Sequence, residues 1–387
     1  MPEHAPVYAD HAATTPMCAA ARRAYLSAAD TAWANPSSIH SPGQAAKAVL
    51  EEAREQIARC LNAHPGEITF TSGGSESDVQ ALHSLAALAA EQGRRRILAA
   101  AFEHHAVLHT LDRLRAQGFT VELLPVPRDG VLRPAEIEAR LTADTAFVSV
   151  MTVNNEIGTI QPIEQIAAAC RAHGVPVHTD AVQAVGHIPV DVRQSGVELL
   201  SVSAHKFGGP KGIGVLYARR GIRLHSVITG GAQERGRRAG MENVPAAAGM
   251  AAALQERISA MPEEAARIRA LRDRLIDELQ QQVPGCVLNG ARTALAPGIA
   301  NLSFAGIDSE NLLLLLDNEG IAASAGSACT AGALTPSHVL TAIGLPEDAA
   351  RGSLQLSLGP ENTDADIDRL LAVIPRVVAY LRAHAPG

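Results

Sequence analysis

Glu198–Ala218 reads ELLSVSAHKFGGPKGIGVLYA. Two apolar runs with β-branched residues, each of strand length, flank a polar turn that carries a lysine and paired glycines. The first run delivers Lys206 just past a strand end, with Ser203 and His205 ahead of it. Loops at the carboxyl ends of strands are where ligands collect in open α/β sheets. A lysine amine placed there forms a Schiff base with an aldehyde cofactor or a carbonyl substrate. A solvated lysine at a strand end is the other reading of the same residues.

Upstream, VPVHTD closes on Asp180, with Gln183 three residues further on. A carboxylate in a low-dielectric cleft is costly unless it is paired, and a protonated ring nitrogen would pair it. Helix N-capping is the alternative. Earlier still the chain alternates strand and helix. Ile68–Phe70, RILAAAF, FTVELLPV and AFVSVM read as strands, and Gln44–Leu61, Glu76–Gln92, His105–Gln117 and Ile163–His173 read as helices. About seven strands separated by helices predict a mainly parallel sheet covered on both faces. His104 follows RILAAAF and reads as a stacking or acid–base histidine, or as a cap. TSGGSE, Thr71–Glu76, is a glycine-bearing turn that enters a helix, with Ser75 at the cap. It reads equally as a structural turn and as a phosphate cradle, to which Ser203 would add a hydroxyl. It has no Walker lysine.

Downstream the pattern changes near residue 245. Ala246–Ser259 reads as one helix and Pro262 opens a second, which carries Ile268, Leu271, Leu275 and Leu279 on one stripe. ANLSFAG and SLQLSLG read as strands, the latter alternating as if half-buried, and Asp364–His384 reads as a closing helix. These elements predict a smaller α+β domain.

At 387 residues the chain exceeds the usual size of one core, so two domains are expected. A net charge of −7 argues against a broad basic face for nucleic acid, and 3% aromatic residues leave few platforms for stacking bases. The five cysteines, Cys18, Cys60, Cys170, Cys286 and Cys329, form no Cys-x-x-Cys, which disfavours structural zinc and suits a reducing compartment. With no stretch of 18 apolar residues, a membrane span is not expected and the cytoplasm is the default. Cys329 lies among small residues in ASAGSACTAG, a setting that presents a thiol. The other four sit in helix-like or apolar settings and read as core.

Nine segments, in this order, carry a resemblance: YADHAATTP, NPSSIHSPG, TSGGSES, FEHHAV, VNNEIG, HTDAVQAVG, SAHKFGGPKG, ERGRRAGMENVP and GSACTAG. As a set, from about Val7 to Leu381, the chain resembles the cysteine desulfurases, class V aminotransferase-like enzymes that use pyridoxal phosphate, in the subgroup with the short GSAC form of the cysteine loop. The resemblance implies pyridoxal-phosphate fold type I. It also implies a large cofactor-binding domain over residues 16–257 and a small domain from 1–15 and 258–387. Lys206 would hold the cofactor, Asp180 would face its ring nitrogen, and His104 would stack on the ring. Asn155 and Gln183 would lie near the ring and its phenolic oxygen. Gly74, Ser75, Ser203 and His205 would contact the phosphate. Cys329 would take sulfur from L-cysteine as a persulfide, with Lys206 and His104 as the other catalytic groups. Asn35, Asn155, Gln355 and Arg351 are candidates for substrate binding. A homodimer, a sulfur-acceptor protein and roles in iron–sulfur assembly or tRNA thiolation follow from the same resemblance, with no membrane or direct nucleic-acid partner.

Some positions depart from that family. Gln355 stands where an arginine usually grips the substrate carboxylate; Arg351, four residues earlier, would be a distant substitute on the same strand face. Met241 stands for a threonine that donates to the neighbouring subunit's phosphate. Ser75 replaces a threonine, Ala232 a glycine and His11 an asparagine. The expected function is conversion of L-cysteine to L-alanine. The alternatives are a related pyridoxal-phosphate lyase with an altered substrate and a low-activity desulfurase-like scaffold.

Overall fold

The computed structural model of the chain describes residues 6–326 and 336–384. Its strands are β1 Val7–Tyr8, β2 Ile68–Thr71, β3 Arg96–Ala100, β4 Thr120–Leu124, β5 Thr145–Ser149 and β6 Val177–Asp180, followed by β7 Leu199–Ser203, β8 Gly214–Ala218, β9 Cys286–Leu288, β10 Ile299–Phe304, β11 Ile321–Ala322 and β12 Ser353–Ser357. Seven of them form the central sheet, in the order β2-β8-β7-β6-β5-β3-β4. Strands β3 to β7 run parallel to one another, whereas β8 runs antiparallel to both β7 and β2. The turn between Ser203 and Gly214 is too short for a crossover helix, so β8 returns against β7. Every residue of β5, β7 and β8 is buried, which explains why they read as apolar runs and not as alternations. This is the mainly parallel seven-stranded α/β sheet that the sequence predicts.

A second, smaller sheet has the order β12-β10-β9 and is antiparallel, and β1 pairs with β11 in parallel. The sequence predicts a half-buried β12, but all five of its residues are buried. The alternation is present; its polar side faces the interior. Ser357 Oγ accepts the Ala12 N–H at 2.8 Å, and the Gln355 backbone exchanges hydrogen bonds with Ser324.

Val244–Gln282 is one helix of 39 residues that contains Pro262, where the sequence predicts two helices. Proline removes one N–H and crowds the preceding turn. Here the loss is outweighed by anchoring at both ends. Val244, Met250 and Leu254 pack into the core of the central sheet. Ile268, Leu271, Leu275 and Leu279 pack into a second core with β10, β12 and Asp364–Ala383. Val7 and Ala9 join that second core and Ala12 joins the first, so the opening strand crosses between them. Val339, Leu340, Ile343 and Ala350, late in the chain, pack into the first core. Of the cysteines expected in the core, Cys170 and Cys286 are buried, but Cys18 and Cys60 are half-buried. Cys18 caps the helix Ala19–Thr31, its sulfur accepting the Ala21 N–H at 3.4 Å. No helix among the described residues is long and apolar enough to cross a membrane.

Candidate active site

The carboxyl ends of β3, β5, β6 and β7 deliver His104, Asn155, Asp180 and Lys206 to one cavity of about 230 Å³. Parallel strands bring their following loops to the same edge, so residues 102 positions apart become neighbours across β3 and β7. Gly74, Ser75, Gln183, Ser203, His205 and Gln355 complete much of the wall. Asn35 and Arg351 lie outside it. Asn35 is half-buried, its Oδ1 accepting the Ser37 N–H at 2.9 Å. Arg351 ends the helix Glu347–Arg351 instead of lying in a strand, so the same-face argument from strand spacing does not apply. It is exposed and donates to Glu347 at 2.6 Å. Cys329 lies outside the described residues.

Register pairs Asp180 with Ser201, one strand over and close to the turn that carries Lys206. Lys206 Nζ donates to the Ala12 and Ala13 carbonyls at 2.6 and 2.9 Å, so the opening segment orients the amine. Asp180 Oδ1 accepts the Val182 N–H at 2.8 Å, a local turn and not a helix cap. Burial, and secondly the neighbouring Asp78, push its carboxyl up to about 7. That is the environment of a carboxylate lacking a cationic partner, and it fits a protonated pyridine nitrogen.

The helix Gly74–Glu91 begins one residue before Ser75, so Ser75 lies in the first turn and is not the cap; Gly73 takes the cap position and no side chain closes it. Its first N–H groups are thereby left for an anion. A Cβ on Gly74 would lie 2.6 Å from Val182, and one on Gly73 would lie 3.8 Å from Ser203 Oγ. The cradle is thus tight at one glycine and faces a hydroxyl at the other. His205 Nδ1 lies 3.1 Å from Thr14 Oγ1, and Gln183 Nε2 donates to the Ala12 carbonyl at 2.8 Å. A buried carboxylate, a lysine and an uncapped helix start across one cavity fit pyridoxal phosphate.

His104 caps the helix His105–Ala116, its Nδ1 accepting the Ala106 N–H at 3.1 Å. An accepting Nδ1 places the neutral ring's proton on Nε2. Burial first, then the Lys206 charge, lower its pKa to about 4. His205 is lowered to about 4 by burial and then by Lys206.

Sequence reasoning missed several residues of this site. Asp78 lines the wall, fully buried, and burial pushes its carboxyl up to about 7. Its Oδ1 lies 3.5 Å from His178 Nε2. The signal was available, since Asp78 is four residues beyond Gly74 and therefore on the same helix face. Glu103 is fully buried behind the wall, accepting the Met151 N–H at 2.7 Å, with a carboxyl raised well above its usual range by burial. Asp10 also lines the cavity and accepts from Ser324 Oγ at 2.8 Å. His11 is buried on the face of Gly359, its Nδ1 3.3 Å from Thr15 Oγ1, and burial lowers its pKa to about 4. Met241 is 59% exposed.

The family model for class-V aminotransferases matches residues 7–370. A protein of Methanosarcina thermophila named cysteine desulfurase IscS is 45% identical over 99% of this chain and 95% of its own. An IscS-like cysteine desulfurase of Mycobacterium tuberculosis is 45% identical over 98% of each. Among solved structures, a NifS-like protein superposes with a TM-score of 0.91 at 35% identity, covering 97% of this chain and 100% of that one. A structure described as SspA in complex with cysteine has a TM-score of 0.80 at 32% identity, covering 92% and 100%. With its sheet order, its lysine and carboxylate on adjacent strand ends and full-length similarity of this degree, the chain belongs to the class-V aminotransferase family, in its cysteine desulfurase branch.

Proposed function

We propose that the protein is a pyridoxal-phosphate-dependent cysteine desulfurase that converts L-cysteine to L-alanine and carries the sulfur as a persulfide on Cys329. The observation that carries the reading is the convergence of Lys206 and Asp180 on one cavity beside an uncapped helix start. Lys206 holds the cofactor and moves a proton at the substrate α-carbon. Asp180 accepts the ring N–H. Gly74, Ser75, Ser203 and His205 take the phosphate, and Asn155 and Gln183 address the ring and its phenolic oxygen. Bound there, the cofactor supplies an electron sink for charge that develops at the α-carbon. His104 stays neutral at physiological pH and relays a proton of the substrate thiol. The Cys329 thiolate attacks the substrate sulfur, and the Cβ–S bond breaks as the S–S bond forms. The carbon takes up a proton to give the methyl group of alanine, and a thiol of an acceptor protein then takes the outer sulfur and frees Cys329.

We further propose a large domain over 16–257 and a small one from 1–15 and 258–387, the latter lending Val339, Leu340, Ile343 and Ala350 to the core of the central sheet. The reading extends to a cytoplasmic homodimer that serves iron–sulfur assembly or tRNA thiolation, and the exposure of Met241 supports the second subunit. The test is reductive trapping with borohydride followed by peptide mass spectrometry, together with assay of sulfide and alanine in the presence of dithiothreitol. An adduct on Lys206, and sulfide and alanine in equal amounts that disappear in Cys329→Ala, are expected. A protein saturated with cofactor that gives no Lys206 adduct overturns the reading.

A further inference from the structure

An amino-acid substrate offers the site an amine, a side chain and a carboxylate. A buried carboxylate needs a cation or a full set of donors. Among the described residues the cavity wall holds three carboxyl groups, those of Asp10, Asp78 and Asp180, and no arginine. Its basic residues are Lys206, His104 and His205. Lys206 is engaged by the Ala12 and Ala13 carbonyls, and both histidines are held neutral near physiological pH, their values lowered to about 4 by burial first. Residues 327–335, SACTAGALT, lie outside the described residues and contain no Lys, Arg or His. Arg351 is exposed and paired with Glu347.

The wall offers Gln355 instead, 3% exposed, its Nε2 donating to the Asn155 carbonyl at 2.6 Å. A glutamine amide presents a donor and an acceptor side by side. A carboxylate has only acceptors and would set an oxygen against Oε1. A carboxamide matches both groups and brings no charge into a wall rich in carboxyl groups.

We infer that Gln355 makes this site indifferent to, or selective against, a free substrate carboxylate, so that the enzyme desulfurises C-terminally blocked cysteine, with L-cysteinamide as the simplest member of the class. The inference rests on the desulfurase reading above and names its substrate class. The step balances without an outside oxidant. The Cβ–S bond of cysteinamide breaks, a S–S bond forms on the enzyme thiol, and the carbon receives the proton that completes the methyl group of alaninamide. The thiol is oxidised to a persulfide as the carbon is reduced.

Two measurements on the cofactor-loaded full chain decide it. The first compares kcat/KM for L-cysteine and L-cysteinamide by sulfide release with dithiothreitol. The second compares L-alanine and L-alaninamide binding by spectral titration, with affinities referred to the unprotonated amine. Selectivity for the acid over the amide of no more than about threefold is expected in both, and Gln355→Arg should restore a preference for the acid by roughly thirtyfold or more. Wild-type enzyme that already prefers both acids by that margin overturns the inference and leaves the desulfurase reading intact; an arginine contributed by a second subunit would give this result. If neither cysteine compound yields sulfide, the desulfurase reading fails and the alanine pair alone decides the carboxylate question. Binding of neither alanine compound overturns both.

Discussion

At the scale of single residues, the site is governed by where charge is buried. On the proposed function Asp180→Asn removes the carboxylate that would face the cofactor's ring nitrogen, and we expect sulfide production to fall by roughly 100-fold or more, measured as kcat with saturating cofactor. Asp78 acts through its neighbours. Its folded value of about 7 stands above the ordinary 3.8, so its contribution to stability is whole below 3.8 and is lost as pH rises through about 7. His178, lowered from 6.5 to about 4 chiefly by burial, contributes the opposite slope, present above 6.5 and lost as pH falls through about 4. Asp78→Asn removes the first slope and leaves the second. Urea titrations of wild type and variant between pH 4 and 8 are expected to show a smaller loss of stability with rising pH in the variant; identical pH dependences would place the proton elsewhere. Much of this site was legible from residue type. A lysine past an apolar strand and an aspartate ending another announce themselves, because strand ends make sites. Asp78 and Glu103 did not, since a carboxylate inside a helix or after a strand looks solvated until the fold covers it.

At the scale of elements, the chain spends a buried ion pair on one loop. Glu234 and Arg235 have φ of 48° and 62°. Glu234 accepts from Arg54 Nη1 and Nη2 at 2.8 Å each and from the Phe70 N–H at 2.9 Å, which ties its loop to the helix Ser41–Cys60 and to β2. Arg54 also donates to the Ile68 carbonyl and lies 4.8 Å from the Phe70 ring centroid. Arg54→Ala strands a carboxylate in the interior and is expected to cost about 3–5 kcal/mol in denaturant unfolding. The double variant Arg54→Met with Glu234→Gln should recover part of that loss, which a simple packing defect would not allow. Nothing local in the sequence signals this pair, because its members are 180 positions apart. Strands and most helices were legible because burial on both faces leaves long apolar runs. Pro262 misled for the opposite reason. A proline ends a helix in isolation, but anchors in two cores hold one together across it.

At the scale of the whole molecule, several large apolar side chains meet solvent in the single chain, among them Ile39 at 96%, Trp33 at 73% and Met241 at 59% exposed. A protein in solution seldom leaves such groups open in numbers, and a second copy is the proposed cover. Light scattering is expected to give twice the chain mass, and Trp33→Glu with Ile39→Asp to shift it toward one; a monomeric wild type would reject that cover. The long helix Val244–Gln282 sets a different kind of limit. At the usual rise its 39 residues make a rod of about 58 Å, seated at one end in each core. Melting either core strips the rod of half its support, so heat should collapse both in one calorimetric peak. A protease nick at mid-rod should release no fragment able to stand alone, and the two halves of this enzyme are in that sense beams on one girder.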